Sequence, residues 1–361
     1  MTPNSRTLQA SISWRNSVVI SFVVFAIFLV ATELLARSQI IGRLLNTPSM
    51  GSVHKDNDRQ WVRFEYFASN HDSIDCVFLG DSTILTGLDP DSFEEAYFEQ
   101  TGENLECFNF GIGGLTAVGS TDIAQILVRE YQPRLLVIGI HVLGFSEAPD
   151  SAGSAALLES PWLRYKSGKH DPEGWLFEHS YLYRYRNFFS KLLRMEVEYS
   201  QLLQAVEDTP SNGFHPLEGQ GPIDVSQPPE PDSDQPYDEA YFAALTEFQV
   251  LPVNLAALDQ LLKLDSRSTR VLAVELPVAD TFYYYFGNGE EDYKTFINDI
   301  DQKFTAHSAT FWQTSSLDMF PYDAWFNRNH LNTEGAEQFS KWLGEWLGEA
   351  VVEGKVSLPS G

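Results

Sequence analysis

The chain is expected to form an α/β domain: a three-layer α/β/α sandwich with a central parallel sheet, preceded by one transmembrane helix. Three observations predict this. Short apolar runs alternate with longer helical stretches from residue 75 onward, the pattern of strands joined by crossover helices. Leu135-Leu136-Val137-Ile138-Gly139-Ile140 is apolar throughout, as a strand buried on both faces requires. Ahead of this pattern, residues 18–36 are almost wholly apolar and just reach the roughly 20 helical residues that cross a bilayer.

Taken in order, residues 1–17 are polar, with Arg6 and Arg15, and read as a cytoplasmic N-terminus. The span 18–36 carries Glu33 near its far end. Arg15 precedes it and Arg37 and Arg43 follow, so the charge bias that orients spans is weak. The expected reading is an uncleaved single-pass membrane anchor with the domain outside the cytoplasm; a cleaved signal peptide competes with it. Residues 37–60 read as a linker, 61–351 as the α/β domain and 352–361 as a tail. A strand is expected at 75–79. Helix 92–101 follows Asp89-Pro90-Asp91 and stops at Gly102, a start and a stop with known chemistry. Then come strand 105–110, the turn Gly111-Ile112-Gly113-Gly114, helix 121–131 ended by Pro133, and strand 135–140. Helix 253–264, strand 271–276, helix 291–306, a short strand at 310–312 and a closing helix at 334–351 complete the alternation.

Residues 145–250 interrupt it as an insertion. Around 181–203, Leu182, Tyr185, Phe189, Leu192 and Leu193 recur near helical spacing. Arg184, Arg186, Lys191 and Arg194 lie on the same segment and read as a solvated basic face, with lipid headgroups or an anionic glycan as the alternative contact. Residues 207–239 are rich in Pro, Asp, Glu and Ser and are expected to be disordered or loosely ordered.

Hydrophobic residues make up 43% of 361, enough for a sizeable core, and the formal charge is -26. That charge argues against a nucleic-acid partner, which needs a basic surface. Cys76 and Cys107 each lie four residues before a strand-ending glycine. A disulfide between neighbouring parallel strands fits poorly, so buried free thiols are expected. The eight histidines show no zinc-type spacing, and no metal or cofactor is called for.

Two segments carry chemistry. Gly80-Asp81-Ser82-Thr83 follows the first strand, and Asn327-Arg328-Asn329-His330-Leu331-Asn332 precedes the closing helix. A serine hydroxyl is a weak nucleophile until a base takes its proton, and parallel sheets place ligands at the carboxyl ends of their strands. Ser82 is the expected nucleophile and His330 its base. A third group must fix the histidine tautomer. An oxyanion needs fixed N–H donors, for which the Ser82 and Gly111 amides are candidates. Asp81 and Asn109 are expected to organise their turns.

Phe78-Leu79-Gly80-Asp81-Ser82, Asn109-Phe110-Gly111-Ile112-Gly113-Gly114 and the His330-Leu331-Asn332 ending resemble, in order and spacing, the blocks of the SGNH/GDSL hydrolase superfamily. The likeness covers residues 74–347, with the insertion as its uncertain part, and implies a flavodoxin-like sheet. This chain departs from the family pattern twice. The position of the aspartate that orients the histidine is Asn327, for which Asp323 is a possible substitute; a bare Ser-His dyad is the other possibility. His141 stands where the family offers an oxyanion-hole asparagine. It is either a donor to the oxyanion or a satisfied strand-end histidine.

The anchored layout resembles the branch that accompanies cell-envelope polysaccharide O-acylation. The resemblance implies an extracytoplasmic esterase or O-acyltransferase acting on acyl, chiefly acetyl, esters of a polysaccharide, with a multi-spanning membrane acyltransferase as a possible partner. A catalytically impaired glycan-binding or partner-binding protein is the alternative. A secreted lipase is a weaker third reading.

Overall fold

A computed structural model describes residues 14–38, 49–51, 55–71, 73–146, 160–186, 212–231, 238–315 and 319–359. Five strands form a parallel sheet in the order β2-β1-β3-β4-β5: β1 (Cys76–Gly80), β2 (Cys107–Gly111), β3 (Leu135–Ile140), β4 (Arg270–Glu275) and β5 (Thr310–Trp312). The order is doubly wound and reverses between β1 and β3, so the carboxyl ends of those strands open the crevice where such sheets bind ligands. The expected α/β architecture is present.

Alternation along each strand divides two cores. Val77 and Leu79 face one layer with Phe108, Phe110, Leu136 and Ile138. Cys76 and Phe78 face the other with Leu135, Val137 and Val274. Helices α2 (Lys55–Asn70), α5 (Ala117–Glu130), α10 (Pro252–Leu262) and α11 (Glu290–His307) cover the first face. Helices α4 (Pro90–Thr101) and α12 (Thr333–Val352) cover the second. The latter two approach closely because Gly344 brings α12 onto α4; a Cβ there would lie 2.4 Å from the Phe93 carbonyl oxygen.

Several expectations need correction. The linker reading of 37–60 fails at its end, because α2 starts at Lys55 and sets Trp61 and Phe64 wholly in the core. Their three-residue spacing was the signal, obscured by the polar residues before them. A short helix α3 (Ser82–Gly87) stands where a polar turn was expected. Helix α5 begins four residues early, at Ala117. The tail turns back onto the domain, with Val356 buried and Arg134 Nε donating to the Pro359 carbonyl (2.6 Å). Cys76 and Cys107 pair in register on adjacent strands, and both thiols are buried and free; burial pushes both up, Cys107 the further.

The insertion differs most from expectation. Its described part contains α6 (Pro161–Lys166), α7 (Pro172–His179), α8 (Tyr181–Arg184) and α9 (Asp238–Leu245). Arg184 is not solvated: it is 2% exposed, with Nη1 donating to Glu65 (2.7 Å) and its guanidinium 4.9 Å from the Tyr181 ring centroid. Lys191 and Arg194 lie outside the described residues, as do Phe189, Leu192 and Leu193.

Residues 212–231 are placed against the domain rather than loose. The Asn109 N–H donates to the Asn212 carbonyl (2.8 Å), His215 N–H to Leu85 (3.0 Å), Gly221 N–H to Phe326 (3.1 Å) and Thr333 N–H to Leu217 (2.9 Å). Phe214 and Val225 are buried beneath. Composition misled here because main-chain hydrogen bonds and two isolated apolar anchors hold the segment, without any periodic face.

The remaining short elements frame the crevice. A hairpin of β6 (Trp325–Asn327) and β7 (His330–Leu331) precedes α12. The apolar helix α1 (Trp14–Ala36) reaches a mean hydropathy of 2.7 over its most apolar 18 residues and is long and apolar enough to cross a membrane.

Candidate active site

Ser82 opens α3 at the carboxyl end of β1 and is partly exposed. Asp81 caps that helix: its Oδ1 accepts from the Thr83 N–H (2.8 Å) and Thr83 Oγ1 (2.6 Å), satisfying a donor that helix geometry leaves unpaired. Asn109, wholly buried, fixes the other end of α3. Its Nδ2 donates to the carbonyls of Ile84 (2.7 Å) and Leu88 (2.6 Å).

Gly111 lets α3 settle on the strand ends, since a Cβ there would stand 2.2 Å from the Leu85 main-chain nitrogen. Gly111→Ala is therefore expected to displace α3, lowering stability by about 1–3 kcal/mol and slowing any reaction of Ser82. Thermal unfolding together with the labelling rate of Ser82 checks this.

The His330 hairpin closes over the same point. His330 Nε2 lies 2.8 Å from Ser82 Oγ, and His330 Nδ1 lies 3.0 Å from Asn327 Oδ1. Asn327 Oδ1 also accepts the main-chain N–H groups of Asn329 (3.1 Å) and His330 (2.8 Å). Those two donors settle which way the amide faces, since only oxygen can receive them. The carbonyl oxygen therefore meets Nδ1–H, and Nε2 presents its lone pair to the serine hydroxyl. Asp323 does not take this place. Its side chain is exposed, and its contribution to the hairpin is a carbonyl that accepts from Asn332 Nδ2 (2.6 Å).

Electrostatics favour a neutral His330 ring. Burial pushes His330 down to about 4, against the pull of the Asp81 carboxylate and with the help of His141. Asn327 supplies geometry without charge, so no anion bonded to the ring favours a second proton on it.

Two expected oxyanion donors are otherwise engaged. The Gly111 N–H is directed at Asn109 Oδ1 (2.8 Å). His141, 3% exposed, has Nδ1 2.9 Å from Asp81 Oδ2, while its Nε2 has no partner among the described residues. A neutral ring that donates from Nδ1 keeps only a lone pair at Nε2, so it can donate a second hydrogen bond only as an imidazolium. Burial works against ionisation of Asp81, but the His141 ring and the donors from His141 and Thr83 outweigh it and hold the carboxyl below its ordinary value. The Asp81–His141 pair was not foreseen; its sole sequence signal was a histidine at the end of a strand next to β1. The Ser82 N–H, first in its helix, has no acceptor within that helix.

The insertion joins the two halves of the site. Its main chain meets Leu85 of α3 and Phe326 of β6. Beside His330, Arg328 is buried with Nη1 3.3 Å from Asp238 Oδ1 and 3.1 Å from Tyr285 Oη, and Nη2 donates to the Gln227 carbonyl (3.0 Å). Tyr285 Oη also donates to Asp238. Tyr241 Oη donates to Asn329 Oδ1 (3.2 Å). Trp325, two residues before Asn327, walls a cleft of about 290 Å³ that Tyr283, Phe320, Tyr322 and Asp280 also line. Among the described residues, no group of His, Cys, Asp and Glu is placed to hold a metal ion.

No family model matches the sequence, and no curated protein matches it significantly. Among solved structures, a gut microbial diltiazem-metabolizing enzyme aligns at 14% identity and a TM-score of 0.33, over 76% of this chain and 47% of that one. The chain thus spans about half the length of that protein. The inhibitor-bound aryl esterase of M. smegmatis aligns at 12% identity and a TM-score of 0.33, over 77% and 99%.

Proposed function

We propose that the protein is a serine-dependent acyl-ester enzyme of the SGNH type, with Ser82 as nucleophile, His330 as base and Asn327 as the group that orients it. The observation that carries this reading is the Ser82–His330–Asn327 chain of hydrogen bonds at 2.8 and 3.0 Å, in which the Asn327 carbonyl fixes the productive tautomer. Ser82 Oγ attacks the acyl carbonyl carbon as its proton passes to His330 Nε2. The carbonyl oxygen takes the negative charge beside the Ser82 N–H. Collapse breaks the ester C–O bond, and His330 returns the proton to the departing alkoxide. A second hydroxyl, from water or a glycan, then attacks the acyl-serine, giving its proton to His330 and restoring Ser82.

The likeness in sequence blocks supports an acyl group, chiefly acetyl, on a cell-envelope polysaccharide. It also supports a domain held outside the cytoplasm by α1 and a multi-spanning acyltransferase as partner. The aromatic cleft beside Trp325 suits a sugar, whose apolar ring faces stack on such side chains. The competing reading, a non-catalytic binding protein, draws on the missing triad charge. It leaves unexplained why Asn327 is held in the one orientation that serves the base. Turnover of p-nitrophenyl acetate by the wild type, lost in Ser82→Ala with the fold intact, is the expected result; equal rates in the two proteins contradict the assignment.

A further inference from the structure

The helix read as a membrane span is fastened to the domain by specific contacts. Glu33, near the end of α1, accepts the main-chain N–H groups of Tyr181 (2.8 Å) and Leu182 (3.2 Å) and the hydroxyl of Ser180 (2.9 Å). It thereby caps α8. Arg37, just past α1, donates to the His179 carbonyl and lies 5.1 Å from the Tyr181 ring centroid. Arg184, at the other end of α8, is buried against Glu65 of α2. The chain of contacts from α1 to the central fold is continuous, and it fixes where the domain sits relative to the end of the helix.

That position brings α7 to the membrane boundary. The 23 residues of α1 extend about 34 Å, the thickness of a bilayer's apolar core with a small margin. Arg37 therefore marks the boundary on the domain side. His179 is bonded to Arg37, and its ring packs against Trp175 with centroids 4.7 Å apart. Trp175 and Leu176 are 48% and 36% exposed, an exposed aromatic-aliphatic pair two contacts from that boundary. Tryptophan is enriched at this depth, where its ring is half solvated by headgroups.

We propose that α7 rests in the headgroup region of the bilayer that α1 crosses, with Trp175 and Leu176 inserted. The inference rests on α1 being a membrane span. Three cations nearby are already paired: Arg164 with Asp171 (2.8 Å), Lys166 with Glu178 (3.0 Å) and Arg186 with Glu173 (3.3 Å); Lys169, ahead of α7, is exposed. With a single exposed lysine beside the apolar pair, insertion is chiefly apolar in origin, needs no anionic lipid and responds little to salt, unlike attraction between clustered exposed charges.

The test uses the full chain in phosphatidylcholine vesicles, spin-labelled singly at Phe22→Cys, Leu176→Cys, Trp175→Cys or Tyr284→Cys. The two native thiols are buried and stay unlabelled. Collisions with oxygen and with a water-soluble nickel chelate report depth. Position 22 is expected at the bilayer centre and position 284, which is 60% exposed, in water. Positions 175 and 176 are expected between them, with nickel collisions several-fold below position 284 and little changed by salt. If 175 and 176 match 284 while 22 stays in lipid, the inference fails and the anchor stands. Exclusion of both reagents at 175 and 176 indicates a protein contact and also overturns it. A water-exposed label at 22 overturns the span itself, and with it the inference.

Discussion

Asn327→Asp is expected to raise turnover of a simple acyl ester about ten- to a hundredfold and to move the acid limb of the pH profile upward. In the wild type, His330 lies near 4. Below that pH the ring holds two protons and Nε2 has no lone pair for the Ser82 hydroxyl. Activity is therefore retained from neutral pH downward and lost as pH falls through about 4. A carboxylate bonded to Nδ1 favours the imidazolium and raises the histidine by about 1–3 pKa units, which places the limb between about 5 and 7. The gain in rate is a fraction of that basicity, expressed in the transition state. In a serine protease the opposite change costs ~10⁴, through the wrong tautomer. Here the Asn329 and His330 N–H groups already hold the right one, so the gain is smaller. A kcat/KM profile of both proteins from acid to neutral pH decides this. An identical limb and rate would remove His330 from the role of base.

Arg328→Ala is expected to destabilise the protein by about 3–5 kcal/mol, the range for leaving a buried charge unpaired. Asp238, 1% exposed, and the Tyr285 hydroxyl would lose their cation, and the Gln227 carbonyl its donor. Because Arg328 sits between Asn327 and His330, the site should loosen with the fold: ester turnover falls even where the protein remains folded. Chemical denaturation gives the first quantity and the rate at low denaturant the second. Unchanged stability would mean that the 212–231 and 238–245 segments do not brace the hairpin.

The parallel sheet was legible because its strands are continuous apolar runs between glycines and polar turns, and β3 and β5 fall where expected. Ser82 and His330 stood out as candidates because a serine at a strand end and a histidine on a later loop suit such chemistry, and the fold brings the two side chains within 2.8 Å. The orientation of Asn327 was not: it follows from two main-chain donors that depend on the hairpin's path. Helix α3 was hidden by its length of six residues and by threonine and isoleucine, which carry weak helical propensity. The Asp81–His141 pair and the Arg328–Asp238–Tyr285 cluster join residues 60 or more apart, or 43 or more apart, in sequence. Pairings at that separation are set by topology, which no local pattern encodes.

The central claim is that Ser82, activated by His330, forms a covalent bond to an acyl group. Incubation of the full chain with a fluorophosphonate, followed by intact-mass analysis and peptide mapping, tests it most directly. One adduct is expected, on Ser82, absent in Ser82→Ala and strongly slowed in His330→Ala. A wild-type protein that stays unmodified, or an adduct that persists in Ser82→Ala, would contradict it.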